Sequence, residues 1–196
     1  MKQAKIVVTG GPGGGKTTAL DLFQRELVDK VATVPESATL LFSGGVQRSN
    51  DKEIVKSTQK AIYQLQTNIE EIFSLQHPNQ TLICDRGTLD GLAYWPNSER
   101  SFFENIESSF KQELSRYDAV IFFETAAKCG LNIRSNNPVR NESLKEAVEI
   151  DNKLQEIWSR HPNYNVIASS ESFVKKIMFG IMTIENVVNK HHGSKD

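Results

Sequence analysis

The stretch VVTGGPGGGKTTAL (Val7–Leu20) sets five glycines and a proline between an apolar run and a segment that opens on one lysine and two threonines. Gly10, four residues, then Gly15-Lys16-Thr17 is the phosphate-binding loop signature G-x-x-x-x-G-K-[ST], and a preceding strand and following helix are the context it requires. Glycines let the chain turn back with its N–H groups inward, where phosphate oxygens accept hydrogen bonds. The following helix adds its positive dipole end. On this reading Gly11, Gly13, Gly14 and Gly15 cradle the phosphates of ATP or GTP. Lys16 reaches the β- and γ-phosphates, and Thr17 ligands the Mg2+ that bridges them. Thr18 either assists at the phosphates or packs in the first helical turn.

Outward from this loop, short apolar runs alternate with segments of helical period. AKIVV (Ala4–Val8) precedes the loop, and Leu20, Phe23 and Leu27 fall on one helical face after it. VATV (Val31–Val34), TLICD (Thr81–Asp85), YDAVIFFE (Tyr117–Glu124) and YNVIAS (Tyr164–Ser169) read as further strands. A long helix is predicted over 51–76, on a stripe of Val55, Ala61, Ile62, Leu65, Ile69, Ile72 and Phe73. Phe103, Ile106, Phe110 and Leu114 predict one amphipathic helix, and Leu144 to Trp158 another, with Ser143 and Glu146 at capping-box spacing. Phe173, Ile177, Ile181, Ile184 and Val188 mark a closing helix. Strands separated by helices imply an α/β protein with a parallel sheet covered on both faces.

A chain of 196 residues suits one domain, read as 1–190 with a polar tail at 191–196. A net charge of −1 gives no reason to expect nucleic acid, and a nucleic-acid-end kinase would need a basic groove that this near-neutral composition does not advertise. Cys84 and Cys129 lack zinc-ligand spacing, and the sequence has neither a cleavable leader nor a long apolar span. The expectation is a cytoplasmic protein with reduced thiols, no transmembrane segment, Cys84 as a small core residue and His191-His192 as a solvated pair.

A phosphate loop alone does not separate a kinase from a switch or a motor. Asp85 is followed three residues on by Thr88 rather than glycine, no N-K-x-D occurs, and VIFFET offers Glu124 where a motor would show paired acids. What the sequence does carry is a carboxylate at the end of each of three strands, Glu36, Asp85 and Glu124. In open α/β sheets the strand C-termini face the ligand crevice, so these acids could converge there.

TGGPGGGKTT, VPESA, CDRGTLDGLAYWP and NPVRNESLKEAVEIDNKLQEIWSRHPNYNVI, in that order, resemble the AAA-domain P-loop NTPase family related to the kinase domain of NadR-type nicotinamide riboside kinases. More distantly they resemble nucleoside and nucleotide kinases. The resemblance implies a three-layer P-loop NTPase fold with sheet order 2-3-1-4-5, and an acceptor bound between the long helix and the Asp85 loop. Phosphoryl transfer then calls for a carboxylate to orient the acceptor hydroxyl, for which Glu36 is suited, and one to hold magnesium water, for which Asp85 is suited. Glu36 could also be only a helix N-terminal acid.

Arg86, beside Asp85, would contact acceptor or phosphate, or lie at the surface; Asp90 falls on the acceptor segment. Trp95 is either an acceptor wall or a core edge. Arg134 and Arg140 lie in NIRSNNPVRNE, which reads as a lid: Arg140 matches the family's arginine before the acidic helix start, while Arg134 either meets the nucleotide or pairs at the surface. SGGVQRSN (Ser43–Asn50) reads as a loop on the acceptor side. The resulting expectation is a kinase-like protein that moves the ATP γ-phosphate to a small nucleoside- or nucleotide-like metabolite. The alternative is a nucleotide-gated binding protein, a slow NTPase that switches affinity for a partner or lipid headgroup.

Overall fold

The computed structural model describes residues 3–27, 29–129, 143–170 and 172–193. Strands β1 (Lys5–Thr9), β2 (Val31–Val34), β3 (Thr81–Asp85), β4 (Ala119–Phe123) and β5 (Tyr164–Ile167) form one sheet in the order β2-β3-β1-β4-β5. Every pairing is parallel, with Val8 opposite both Asp85 and Ile121. The period-two alternation of each strand sends its side chains into two separate cores. Ile6, Val8, Ile83, Ile121 and Phe123 pack under α1 (Lys16–Glu26) and α7 (Phe173–Gly193), which contribute Phe23, Ile177 and Ile184. Val7, Leu82, Cys84, Val120 and Phe122 point to the other face. There they meet Phe102 and Phe103 of α4 (Glu99–Ile106) and Leu154 and Trp158 of α6 (Leu144–Trp158). Both faces of the sheet are therefore covered, which explains why its strands read as continuous apolar runs. Among the described residues no helix is long and apolar enough to cross a membrane.

The remaining helices are α2 (Ser37–Ser43), α3 (Lys52–Gln76) and α5 (Phe110–Leu114). Asp51 caps α3 by accepting from the N–H groups of Glu53 and Ile54. Ser143 and Glu146 form the reciprocal capping box at the start of α6. One expectation is corrected: Phe103 to Leu114 is two helices. Glu107 takes a left-handed φ of 52° and ends α4, and Ser109 begins α5 by accepting from the N–H of Gln112. The apolar spacing survives this break because α4 and α5 both pack on the same core. α7 runs to Gly193, three residues into the stretch read as a polar tail.

The sheet order leaves β1 central, so its C-terminal end emerges between β3 and β4. Gly10 follows at once with φ 130°, and a Cβ there would lie 2.0 Å from the Phe123 carbonyl oxygen. Only glycine lets the chain cross the end of β4 at that distance.

The caps give measurable expectations. Ser143→Ala should lower the free energy of unfolding by about 1 kcal/mol in chemical denaturation. Glu107→Gly, at a left-handed helix end, should raise it by up to about 1 kcal/mol.

Candidate functional site

The phosphate loop carries positive φ at Gly10, Gly13 and Gly15 (130°, 70° and 91°). α1 starts on Gly15, with no side chain capping its first turn and no acidic residue in it. With no acidic residue in that turn, the dipole end of α1 meets the loop in an arrangement that suits an anion. Lys16 is 2% exposed, and its Nζ donates to the carbonyl oxygens of Gly10 (2.9 Å) and Gly11 (2.8 Å). Thr17 and Thr18 are exposed on the first turn. Gly11 differs from expectation: its N–H is held by Asp151 Oδ1 at 2.8 Å, so it is not directed at a phosphate.

Across the loop, Arg86 ends the turn after β3 with φ 79° and joins three elements. Its Nη1 donates to the Gly10 carbonyl at 2.6 Å and to Asp90 Oδ2 at 3.2 Å, and its Nε to Glu36 Oε1 at 3.1 Å. Burial works against this charge, but Glu36 and Asp90 outweigh it and hold the guanidinium above its ordinary pKa. Thr39 donates to the other oxygen of Glu36 at 2.5 Å. Asp90 also accepts from the Thr9 hydroxyl (2.7 Å) and from Trp158 Nε1 (2.8 Å). The buried Asp90 carboxylate thus anchors Arg86, Thr9 and Trp158 while it also borders the pocket on the expected acceptor side.

Glu36, Arg86 and Asp90 line one wall of a pocket that Pro12 closes at the phosphate loop. Its opposite wall is α3, with Gln59, Ile62, Tyr63 and Gln66. The deepest residues of α3 are polar: Gln59, Gln66 and Glu70. Gln66 is spent internally, accepting from Ser37 Oγ (2.7 Å) and donating to Glu70 (3.1 Å) and the Arg86 carbonyl (3.3 Å). Glu70 is completely buried and accepts from Tyr117 at 2.7 Å, with Lys5 and Arg116 each at 3.3 Å. Tyr63 donates to Glu113 at 2.9 Å, and burial together with that carboxylate pushes the phenol up to about 12. Gln59, only 8% exposed, lies at the pocket surface with a 3.1 Å approach of its Oε1 to the position of a Gly91 Cβ. Phe42 completes this wall, with the Arg48 guanidinium 4.5 Å above its ring.

The three strand-end carboxylates do not converge on that pocket. Glu36 lines it, whereas Asp85 ends β3 beside Val8, next to the loop and outside the pocket lining. Glu124 turns toward β5, accepting from Ser169 N–H (2.9 Å) and Lys128 Nζ (3.2 Å). Burial opposes its charge, but Ser169, Lys128 and Lys176 prevail and hold its pKa below the usual carboxylate value. Trp95 is 6% exposed, lies edge-on to Phe102 at 5.4 Å and takes no part in the pocket, so it is a core residue. Arg134 and Arg140 lie outside the described residues. Thr17, exposed at the head of α1, and Asp85, beside the loop, would be the residues to hold Mg2+, an ion that takes few protein ligands at a phosphate site.

Sequence reading missed Gln59 and Tyr63. Their signal was a polar residue at the inner-face spacing of a helix otherwise defined by its apolar stripe. It also missed Asp151, which only tertiary structure brings to the loop, 140 residues away.

The chain matches the family model described as an AAA domain over residues 5–176. No curated protein matches the sequence significantly. Among solved structures, the deoxyadenosine kinase of M. mycoides with bound dATP aligns with a TM-score of 0.61 and 14% identity, over 94% of this chain and 100% of that one. The same enzyme with the products dCMP and a flexible dCDP aligns with a TM-score of 0.60 and 14% identity, over 95% and 99%. At that identity the likeness shows a shared P-loop NTPase fold. The family match spans most of the sequence, and the chain belongs to this AAA domain family.

Proposed function

We propose that this protein is a cytoplasmic ATP-dependent phosphotransferase of the nucleoside/nucleotide-kinase type, allied to NadR-type kinases and acting on a small nucleoside- or nucleotide-like metabolite. The observation that carries this reading is the pocket at the mouth of the phosphate loop, walled by Glu36 and Arg86 on one side and Gln59 and Tyr63 on the other. A bare NTPase has no need of a second cavity there. The solved kinase that shares the fold was captured with dATP and with dCMP, which fits a nucleoside-like acceptor.

In the proposed reaction an acceptor hydroxyl beside Glu36 attacks the γ-phosphorus as the bond to the β-phosphate oxygen breaks, and its proton passes to Glu36. Glu36 orients that hydroxyl, and Arg86 neutralises the transferring oxygens. Lys16 moves from the Gly10 and Gly11 carbonyls to the β- and γ-phosphates. Gly13, Gly14, Gly15 and Thr18 supply N–H groups to the phosphates, and Arg140, with Arg134, is assigned the remaining charge. Mg2+ at Thr17 and at water ordered by Asp85 would neutralise the phosphates. Gln59 offers adjacent donor and acceptor atoms suited to an amide-like edge of the acceptor.

A screen of nucleosides and nucleotides for ATP-dependent phosphorylation tests the reading directly. Transfer to one of them supports it, and acceptor-independent hydrolysis alone would mean a switch. Lys16→Ala should abolish MgATP binding in calorimetry; parent-like affinity would remove the phosphate-loop assignment. Glu36→Gln should leave ATP affinity near normal and slow transfer by roughly a hundredfold or more, while Asp85→Asn should weaken Mg2+ dependence as well as rate. Equal, mild effects would place the chemistry on other residues. Gln59→Ala should raise the acceptor KM by about tenfold with little change in the ATP KM, measured by steady-state kinetics against both substrates.

A further inference from the structure

The peptide group between Gly10 and Gly11 is gripped at both ends. Its N–H, on Gly11, donates to Asp151 Oδ1 at 2.8 Å. Its C=O, on Gly10, accepts from Lys16 Nζ at 2.9 Å and from Arg86 Nη1 at 2.6 Å. In a trans peptide these two groups point in opposite directions, so a buried anion and two cations pull on one dipole from opposite sides. Hydrogen bonds arranged head to tail polarise one another, so the carboxylate makes the Gly10 carbonyl a stronger acceptor for both cations.

Asp151 itself is built for the task. It sits on α6 with no exposed surface, and its Oδ1 also takes the Thr125 N–H at 2.9 Å. Its Oδ2 lies 2.8 Å from Lys128 Nζ, and the Thr125 hydroxyl donates to the Pro12 carbonyl at 2.6 Å. A Cβ on Gly11 would meet Asp151 Oδ1 at 2.6 Å, so residue 11 is glycine to admit the carboxylate. Gly10 is wedged against the Phe123 carbonyl, but that contact fixes the position of Gly10 Cα and leaves the rotation of the next peptide plane unspecified.

We propose that Asp151 is a positioning residue that sets the Gly10–Gly11 peptide plane and, through its carbonyl, places Lys16 and Arg86 together before substrates bind. The inference rests on the phosphotransferase reading, in which Lys16 serves the donor phosphates and Arg86 the transferring group. Without the carboxylate the plane loses its anchor at the N–H end and is held at the carbonyl alone, so the acceptor shared by the two cations is less firmly placed.

The test uses the full chain with MgATP, and MgGTP as a second probe. Asp151→Leu should weaken nucleotide affinity by about tenfold or more and open the Gly11 amide to hydrogen exchange, while Asp151→Asn, which keeps an acceptor oxygen, recovers most of both. Asp151→Asn should also shift the amide proton resonances of Gly11 and Thr125, because a charged acceptor becomes a neutral one. In the parent, the Gly11 amide should be protected from exchange without nucleotide. That measurement needs no variant and no bound nucleotide. Protection that arises only on adding MgATP would overturn the inference, as would unmoved Gly11 and Thr125 resonances in Asp151→Asn. Loss of stability in both variants with parent-like affinity in the folded fraction would reduce Asp151 to a structural residue. Failure of the parent to bind either nucleotide would instead overturn the nucleotide-site reading, while apo protection of Gly11 would still report on the peptide clamp.

Discussion

The site depends on one buried cation. Arg86 sits at the end of β3, where the sheet order puts it between β2 and β1, and its guanidinium takes Glu36 from beyond β2, the Gly10 carbonyl from beyond β1 and Asp90 from its own turn. Removing an arginine from water is unfavourable by several kcal/mol unless its donors are met. Each of the three partners is therefore required by the others, and the crossing of three strand ends becomes a fixed arrangement. Two strained positions adjoin it: a positive φ at Arg86 itself, and, set by Phe123, a glycine at position 10 where nothing larger fits. Such strain, held by surrounding structure, is concentrated here at the functional crevice.

Next to the phosphate loop the charges are balanced, with Arg48 a further cation in the pocket lining. Lys16 and Arg86 face Glu36 and Asp90, two cations against two carboxylates, with Asp85 adjoining. A polyphosphate entering such a site finds no surplus of positive side chains among these residues, so its charge must be met by the loop N–H groups, the end of α1 and further cations. That gives a physical reason for the proposed roles of Mg2+ and of Arg140, and for nucleotide affinity depending on backbone geometry as much as on Lys16. Glu124 lies apart from this group, paired with Lys128 and the Ser169 N–H.

Features carried by local spacing were legible in the sequence. The phosphate loop, the five strands, the ends of α3 and the Ser143–Glu146 box all follow from neighbours within a few residues. What was not legible came from distance. The bonds of Asp90 to Thr9 and Trp158 leave no mark in the sequence, and Trp95, open there between acceptor wall and core edge, is placed in the core only by its contact with Phe102. The break at Glu107 escaped because both short helices present apolar residues to one core at nearly unbroken spacing. α3 misled in a subtler way. Its apolar stripe predicted its length correctly, yet Ile72 is 49% exposed while Gln59, Gln66 and Glu70 are buried, because the inward face of this helix meets a pocket and a polar network.

That inversion bears on how the molecule divides its work. The loop side of the crevice is fixed by β1, the end of β4 and α6, through Phe123, Thr125 and Asp151. The opposite wall belongs to α2 and α3, through Phe42, Gln59 and Tyr63. Gln66 joins them, since its amide reaches Ser37 on α2, Glu70 on α3 and the carbonyl of Arg86. On the proposed reading, phosphate handling lies in backbone that the sheet dictates, and acceptor choice in side chains on one long helix that also carries the buried Glu70. A fold shared at 14% identity speaks to the sheet and its connections, and not to the side chains that α3 turns inward. If the proposed transfer holds, the acceptor's identity is to be sought in the chemistry of α3, where Gln59 is both buried and part of the pocket lining.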